Sequence, residues 1–139
     1  MRFFKTAALI LCAFVCAAAF WIFNSPLAFE EGESYTFFCG NTSANCREVT
    51  VHDNAALKKL ALKDVNGEST FYSTLDVQKF LEELGAEVIF TEQLEDSLNL
   101  YCSADLPYST ELYGHEINLH VCIKDEGVKV GSPIIFGGY

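Results

Sequence analysis

The sequence predicts an α+β fold: a small domain whose antiparallel sheet is covered on one face by two helices, behind an N-terminal transmembrane helix. Three observations carry this. An uncharged apolar block fills residues 6–23. Two segments with helical spacing fall between residues 53 and 85. From residue 87 on, short alternating runs follow one another with tight turns between them, which leaves no length for parallel crossovers. The expected organisation is a membrane helix at 1–23, an acidic linker at 24–33 and an extracytoplasmic domain at 34–139, enough chain for one core.

The chain opens with Arg2 and Lys5 and then runs eighteen residues without a charge. A spanning helix needs about 17–25 apolar residues, whereas a cleavable signal has about 7–15 and then a small-x-small site. Here the block ends in the bulky run Phe20, Trp21, Ile22 and Phe23. Such a run does not suit cleavage, and Trp21 fits an interfacial anchor. The expectation is a single pass through the cell membrane from Phe3 to Phe23, N-terminus cytoplasmic and the rest exported. The alternative is a secreted protein cut near Ala28 or among Ala17, Ala18 and Ala19. Cys12 and Cys16 follow Leu11 and Val15 rather than small residues, so they read as apolar members of the helix and not as lipidation sites. Ala13 and Ala17 have the small-xxx-small spacing that suits packing against another membrane helix.

Beyond the helix, Ser34-Tyr-Thr-Phe-Phe38 and Arg47-Glu-Val-Thr-Val51 read as a hairpin. Asp53 or Asn54 can cap a first helix with Leu57, Leu60 and Ala61 as its apolar stripe, Lys58, Lys59 and Lys63 outside it, and Gly67 as its stop. Residues 71–73 read as a short strand. Ser73-Thr-Leu-Asp76 resembles a capping box for a second helix, with Val77, Phe80, Leu81 and Leu84 at helical spacing and Gly85 at its end. Glu87-Val-Ile-Phe-Thr91 is a strand, and Glu92-Gln-Leu-Glu-Asp96 is a solvated turn. Leu98, Leu100 and Cys102 alternate with Asn99, Tyr101 and Ser103. Ile117, Leu119, Val121 and Ile123 alternate with Asn118, His120, Cys122 and Lys124, so each run should have one buried and one exposed face. Tyr113-Gly-His115 and Asp125-Glu-Gly127 are turns, and Val128-Lys-Val130 and Ile134-Ile-Phe136 complete the series of strands.

All nineteen acidic residues lie from Glu30 onward, against seven basic ones, so the outer part carries −12. That charge repels phosphate backbones, and no nucleic-acid partner is expected. Four cysteines lie outside the membrane segment: Cys39, Cys46, Cys102 and Cys122. An even number in a small exported domain points to disulfides. Cys39 with Cys46 across the first hairpin leaves Cys102 with Cys122. Free thiols are one alternative. Zinc on His120, Cys122 and the nearby His115 is another, although the Cys-x-x-Cys pair usual in structural zinc sites is absent.

Nothing in the chain forms a catalytic signature: there is no Gly-x-Ser-x-Gly, HExxH, CxxC or phosphate-binding glycine loop. No catalytic residue, resident metal or cofactor is therefore expected. The acidic turn at residues 92–96 lacks the central glycine of a calcium loop. Asn41-Thr-Ser43 is a glycosylation sequon, meaningful only in a eukaryotic secretory pathway. The aromatic residues of the strand-rich half remain. Tyr101, Tyr108 and Tyr113, with His115 and His120, form the expected binding surface, since exposed tyrosines favour contact with protein or sugar. Tyr139 belongs to the same aromatic set.

Four stretches carry a family resemblance: Val88-Ile-Phe-Thr-Glu-Gln-Leu-Glu-Asp96, Tyr101-Cys-Ser-Ala-Asp-Leu-Pro-Tyr108, Glu116-Ile-Asn-Leu-His-Val-Cys122 and Gly131-Ser-Pro-Ile-Ile-Phe-Gly-Gly-Tyr139. Residues 67–139 resemble short membrane-anchored or exported envelope proteins of Gram-positive bacteria. The resemblance implies an envelope location and transfers no activity and no functional residue. The function expected is that of a protein-interaction or envelope-assembly module with an envelope protein as partner. A small exported enzyme or cell-wall ligand binder using the Tyr101–His120 region is the alternative.

Overall fold

The computed structural model describes residues 1–23, 27–41 and 44–137, leaving aside the side chains of Arg2 and residues 21–23. The proposed anchoring role of Trp21, the sequon at Asn41 and Tyr139 therefore fall wholly or partly outside the described residues. Helix α1 (Arg2–Phe23) is followed by β1 (Ser34–Cys39), β2 (Arg47–Val51), α2 (Ala55–Leu60), β3 (Val65–Tyr72) and α3 (Val77–Glu83). Then come β4 (Glu87–Gln93), β5 (Leu98–Ser103), β6 (Thr110–Leu112), β7 (His115–Ile117), β8 (Leu119–Lys124) and β9 (Gly127–Ser132). Within α1, the segment Phe3–Phe20 is long and apolar enough to cross a membrane, and none of it is buried.

Seven strands form one antiparallel sheet in the order β2-β1-β3-β9-β8-β5-β4, and β6 pairs with β7 apart from it. Register assigns the faces. Phe37 lies opposite Glu68, and Glu68 opposite Ser132; Thr70 lies opposite Val130, Val130 opposite Val121 and Val121 opposite Leu100. These residues share the inner face. Both helices cover it, as the sequence predicts: α3 packs Val77, Phe80 and Leu81 on Tyr72, Cys102, Leu119 and Val121, and α2 packs Ala55 on Tyr35, Phe37 and Val51.

The α2 stripe differs from expectation. Ala55 is its buried residue, whereas Leu57 is 52% exposed. Its stop is not Gly67, which lies inside the eight-residue β3, where a Cβ would meet the Phe136 ring at 2.7 Å. The cap of α3 is Asp76, whose Oδ1 accepts from the Lys79 N–H at 3.1 Å. Ser73 instead donates to Glu33, three residues too early to cap. Gly85 ends the helix in the left-handed region, φ 59°, where a side chain would be strained.

The stretch read as an acidic linker is packed into the domain from Leu27 on, with Glu30, Glu31 and Glu33 left exposed. Phe29 is 2% exposed. The Ala28 N–H donates to Glu68 Oε1 at 2.9 Å, the Gly32 N–H to the Tyr35 hydroxyl at 3.0 Å and the Glu33 N–H to the Phe71 carbonyl at 2.9 Å. Lys59 Nζ closes the other oxygen of Glu68 at 2.7 Å, so one buried carboxylate joins α2, β3 and the segment that follows α1. Desolvation raises the Glu68 pKa, and the bonds from Lys59 and the backbone oppose that rise.

The expected disulfides are not formed; Cys39, Cys46, Cys102 and Cys122 are free thiols. Parity explains the second pair. Cys102 opposes Leu119 on the inner face, and Cys122, three residues beyond Leu119, points to the outer face opposite Asn99. The run 117–124 is broken at Asn118, whose side chain bonds the Ala104 backbone in both directions. The last expected strand is absent: after the cis Ser132–Pro133 bond, residues 134–136 return over the outer face, with Phe136 against Phe38 at 4.3 Å between ring centres.

Two stability measurements check this packing. Phe80 lies against Phe29 and Tyr72, with ring centres 6.1 and 6.2 Å away, but is only partly buried. Phe80→Ala is expected to lower the unfolding free energy by about 3 kcal/mol, the low end for a core phenylalanine, read from the urea midpoint. Glu68→Ala should cost about 3–5 kcal/mol by stranding Lys59, and Glu68→Leu with Lys59→Met should restore part of it. A Glu68→Ala loss below about 1 kcal/mol would show the pair to be solvated.

Candidate functional site

On the outer face, facing away from both helices, cross-strand register sets Phe90, Tyr101 and His120 side by side on β4, β5 and β8. Their rings stack in a row, 4.5 Å between Phe90 and Tyr101 and 4.4 Å between Tyr101 and His120. Tyr113, in the β6–β7 turn, meets Phe90 edge-on at 5.7 Å. The row floors a cavity of about 420 Å³ whose lining adds Glu92, Leu112, Ile134 and Ile135. A second cleft of about 700 Å³ lies between residues 27–31 and α3, with mixed carboxylates and apolar side chains.

Of the five residues expected to form a surface, the fold brings Tyr101, Tyr113 and His120 together. Tyr108 sits elsewhere, its ring 5.4 Å from the Lys59 Nζ and its carbonyl accepting from Ser132. His115 is exposed on β7, opposite Leu112. Phe90, Leu112, Ile134 and Ile135 are members that sequence reasoning missed. The alternation of β4 offered a signal for Phe90, but the bulge between Val88 and Phe90 shifts parity, and nothing local announces the return of residues 134–136.

His120 was expected on an exposed face, yet it is only 9% exposed. β8 is interior to the sheet, and the returning segment covers its outer side. The Ile135 N–H donates to His120 Nδ1 at 3.2 Å, so Nδ1 carries no proton. Nε2 then holds the proton and donates to Asn99 Oδ1 at 2.9 Å, while the Asn99 amide donates to Ser97 Oγ. Burial holds the pKa of His120 down at about 4. Both nitrogens are therefore engaged and the ring is neutral, leaving neither a base nor a metal ligand. The thiol of Cys122, on the same face of β8 as His120, has its pKa raised by burial, as have Cys39 and Cys102, the last up to about 11. Among the described residues no group of three His, Cys, Asp or Glu side chains converges as a metal site would require. The Tyr101 hydroxyl reaches Glu92 at 3.4 Å, and its pKa is raised by burial first and by Glu92 second. The site can present aromatic edges, a carboxylate and the open side of β4; it offers no activated nucleophile.

The histidine gives a pH signature. Its folded pKa of about 4 lies below its ordinary 6.5, so the native state binds fewer protons between those values. The stability it confers is full above pH 6.5 and is lost as pH falls towards 4, roughly 3 kcal/mol in all. Urea midpoints at pH 7 and pH 4 should therefore fall further for the natural chain than for His120→Gln; parallel profiles would show that the ring titrates freely.

No protein-family model, curated protein or solved structure matches this chain.

Proposed function

We propose that this protein is a non-catalytic, membrane-tethered interaction module of the bacterial envelope, with α1 as a retained anchor and the folded domain on the extracytoplasmic side. The observation that carries the reading is the edge strand β4, paired with β5 alone and bordered by the aromatic cavity. An unpaired edge offers a row of backbone donors and acceptors to an extended segment of a partner protein, and a cavity beside it can take that segment's side chains. Glu87, Glu92, Glu95 and Asp96 on and next to β4 favour a cationic segment. They also oppose pairing of β4 with β4 of a second copy, since like charges would face each other. Tyr113, 88% exposed at the cavity mouth, is the side chain most available to a partner.

Arg2 and Lys5 before α1 support the orientation through the positive-inside rule. The resemblance to Gram-positive envelope proteins supports the location. The cavity itself favours a second reading, a cell-wall ligand bound against Tyr101 and Tyr113. An enzymatic use is disfavoured by the doubly bonded His120.

A photo-crosslinking residue in place of Tyr113, in native membranes, tests the module. A discrete adduct with a protein, abolished by Glu92→Lys, is the expected result. An adduct of glycan mass would favour the wall ligand instead, and labelling insensitive to Glu92→Lys would reject the β4 edge.

A further inference from the structure

The tether between α1 and the domain is short enough to fix where the domain sits. α1 ends at Phe23, and Leu27 already packs against the cluster of Tyr35 and Phe37. The Cα atoms of residues 23 and 27 can be at most about 14 Å apart with the chain fully extended. No slack is available from the domain side, because the Ala28 N–H is bonded to Glu68 and Phe29 is buried. α2 lies beside α1. Among the described side chains of α1, only Ala19, near its outer end, is half-buried rather than exposed.

The domain surface nearest the helix exit is therefore the one that α2 provides. It presents Leu57, 52% exposed, and the exposed Lys58, with Lys63 exposed just beyond the helix. Lys59 is turned inward to Glu68, and Lys58 pairs with Asp53 at 2.7 Å. Residues 53–64 hold three basic and two acidic side chains; the rest of the outer chain holds four basic and seventeen acidic. Taken as a whole, the rest of the outer chain is repelled more strongly by a bilayer with anionic lipids than this segment is. At a separation near one Debye length, about 8 Å, that difference is felt.

We propose that α2 rests on the outer surface of the bilayer that α1 crosses, with Leu57 in the interfacial zone and Lys58 and Lys63 among the lipid phosphates. The proposal rests on the reading of α1 as a retained anchor. It adds an orientation: α2 lies towards the β2 end of the sheet, and β4, at the opposite edge, six strand spacings from β2, stays open to a partner.

The test uses the full chain with Trp21→Phe, which removes the one tryptophan, and a reporter introduced as Leu57→Trp or Leu94→Trp. Leu94, 48% exposed, lies in the β4–β5 turn at the far edge of the sheet. Each variant is reconstituted in phosphatidylcholine–phosphatidylglycerol vesicles, with and without acyl chains brominated near the headgroup. The reporter at position 57 should lose fluorescence about twofold on bromination, as a ring in the interfacial zone would, and the reporter at 94 should not. Equal quenching at both positions, or none at either, in vesicles that carry the protein on flotation overturns the proposal and leaves the anchor intact. Protein that fails to float with the vesicles refutes the anchor, and the proposal falls with it.

Discussion

The buried carboxylate of Glu68 is the constraint on which the rest of the structure depends. It lies on the inner face of the sheet, 0% exposed, between Phe37 on one side and Ser132 on the other. A charge in that position has to be compensated, and its partners come from two places outside its own strand: Lys59 of α2 and the backbone at Ala28. Satisfying one side chain thus fixes the short helix over β1 and β3, and draws the chain leaving α1 into the core. Lys59 in turn lies 5.9 Å from the Phe37 ring and 5.4 Å from that of Tyr108, which gives its cationic head aromatic surroundings in place of water.

The sheet has two differently built sides. The inner side is apolar and covered by α3 and α2. The outer side carries polar and aromatic residues, and is closed in part by residues 134–136 and the β6–β7 turn. Hydrogen bonds run from Ile135 through His120 and Asn99 to Ser97, so the buried polar row is satisfied without solvent. This network fixes the orientation of the His120 ring in the floor of the aromatic cavity. It also removes from chemistry the one histidine that the cavity contains, and that is the physical basis for reading the site as a place of contact.

Tether and edge together describe how such a module would work. As a retained anchor, α1 would hold the domain's first packed residue, Leu27, within about 14 Å of the helix exit, close to the reach of headgroup electrostatics. The strong negative charge would then act as an orienting force as well as a solubilising one. The carboxylates around β4 fall on the part of the domain where a cationic segment would be drawn in and a second copy turned away.

The sequence by itself determined the elements whose signal is local. The apolar helix, the two short helices over one face and the hairpin of β1 and β2 follow from periodicity and turn chemistry, and Gly85 marks the end of α3 as expected; the one-face burial expected of β5 does not hold, since Asn99 is 5% exposed while Leu98 and Leu100 are half-buried. It also placed Tyr101, Tyr113 and His120 in one region. Only the tertiary structure decided which faces were covered. Whether His120 is exposed depends on residues 134–136 folding back over β8, and whether Cys102 can meet Cys122 depends on the register of β5 against β8. The pairing of Glu68 with Lys59 across α2, and with Ala28 forty residues earlier, has no local mark at all. Periodicity reports how a segment divides its own two faces, whereas burial and bonding depend on what distant chain is laid upon each face.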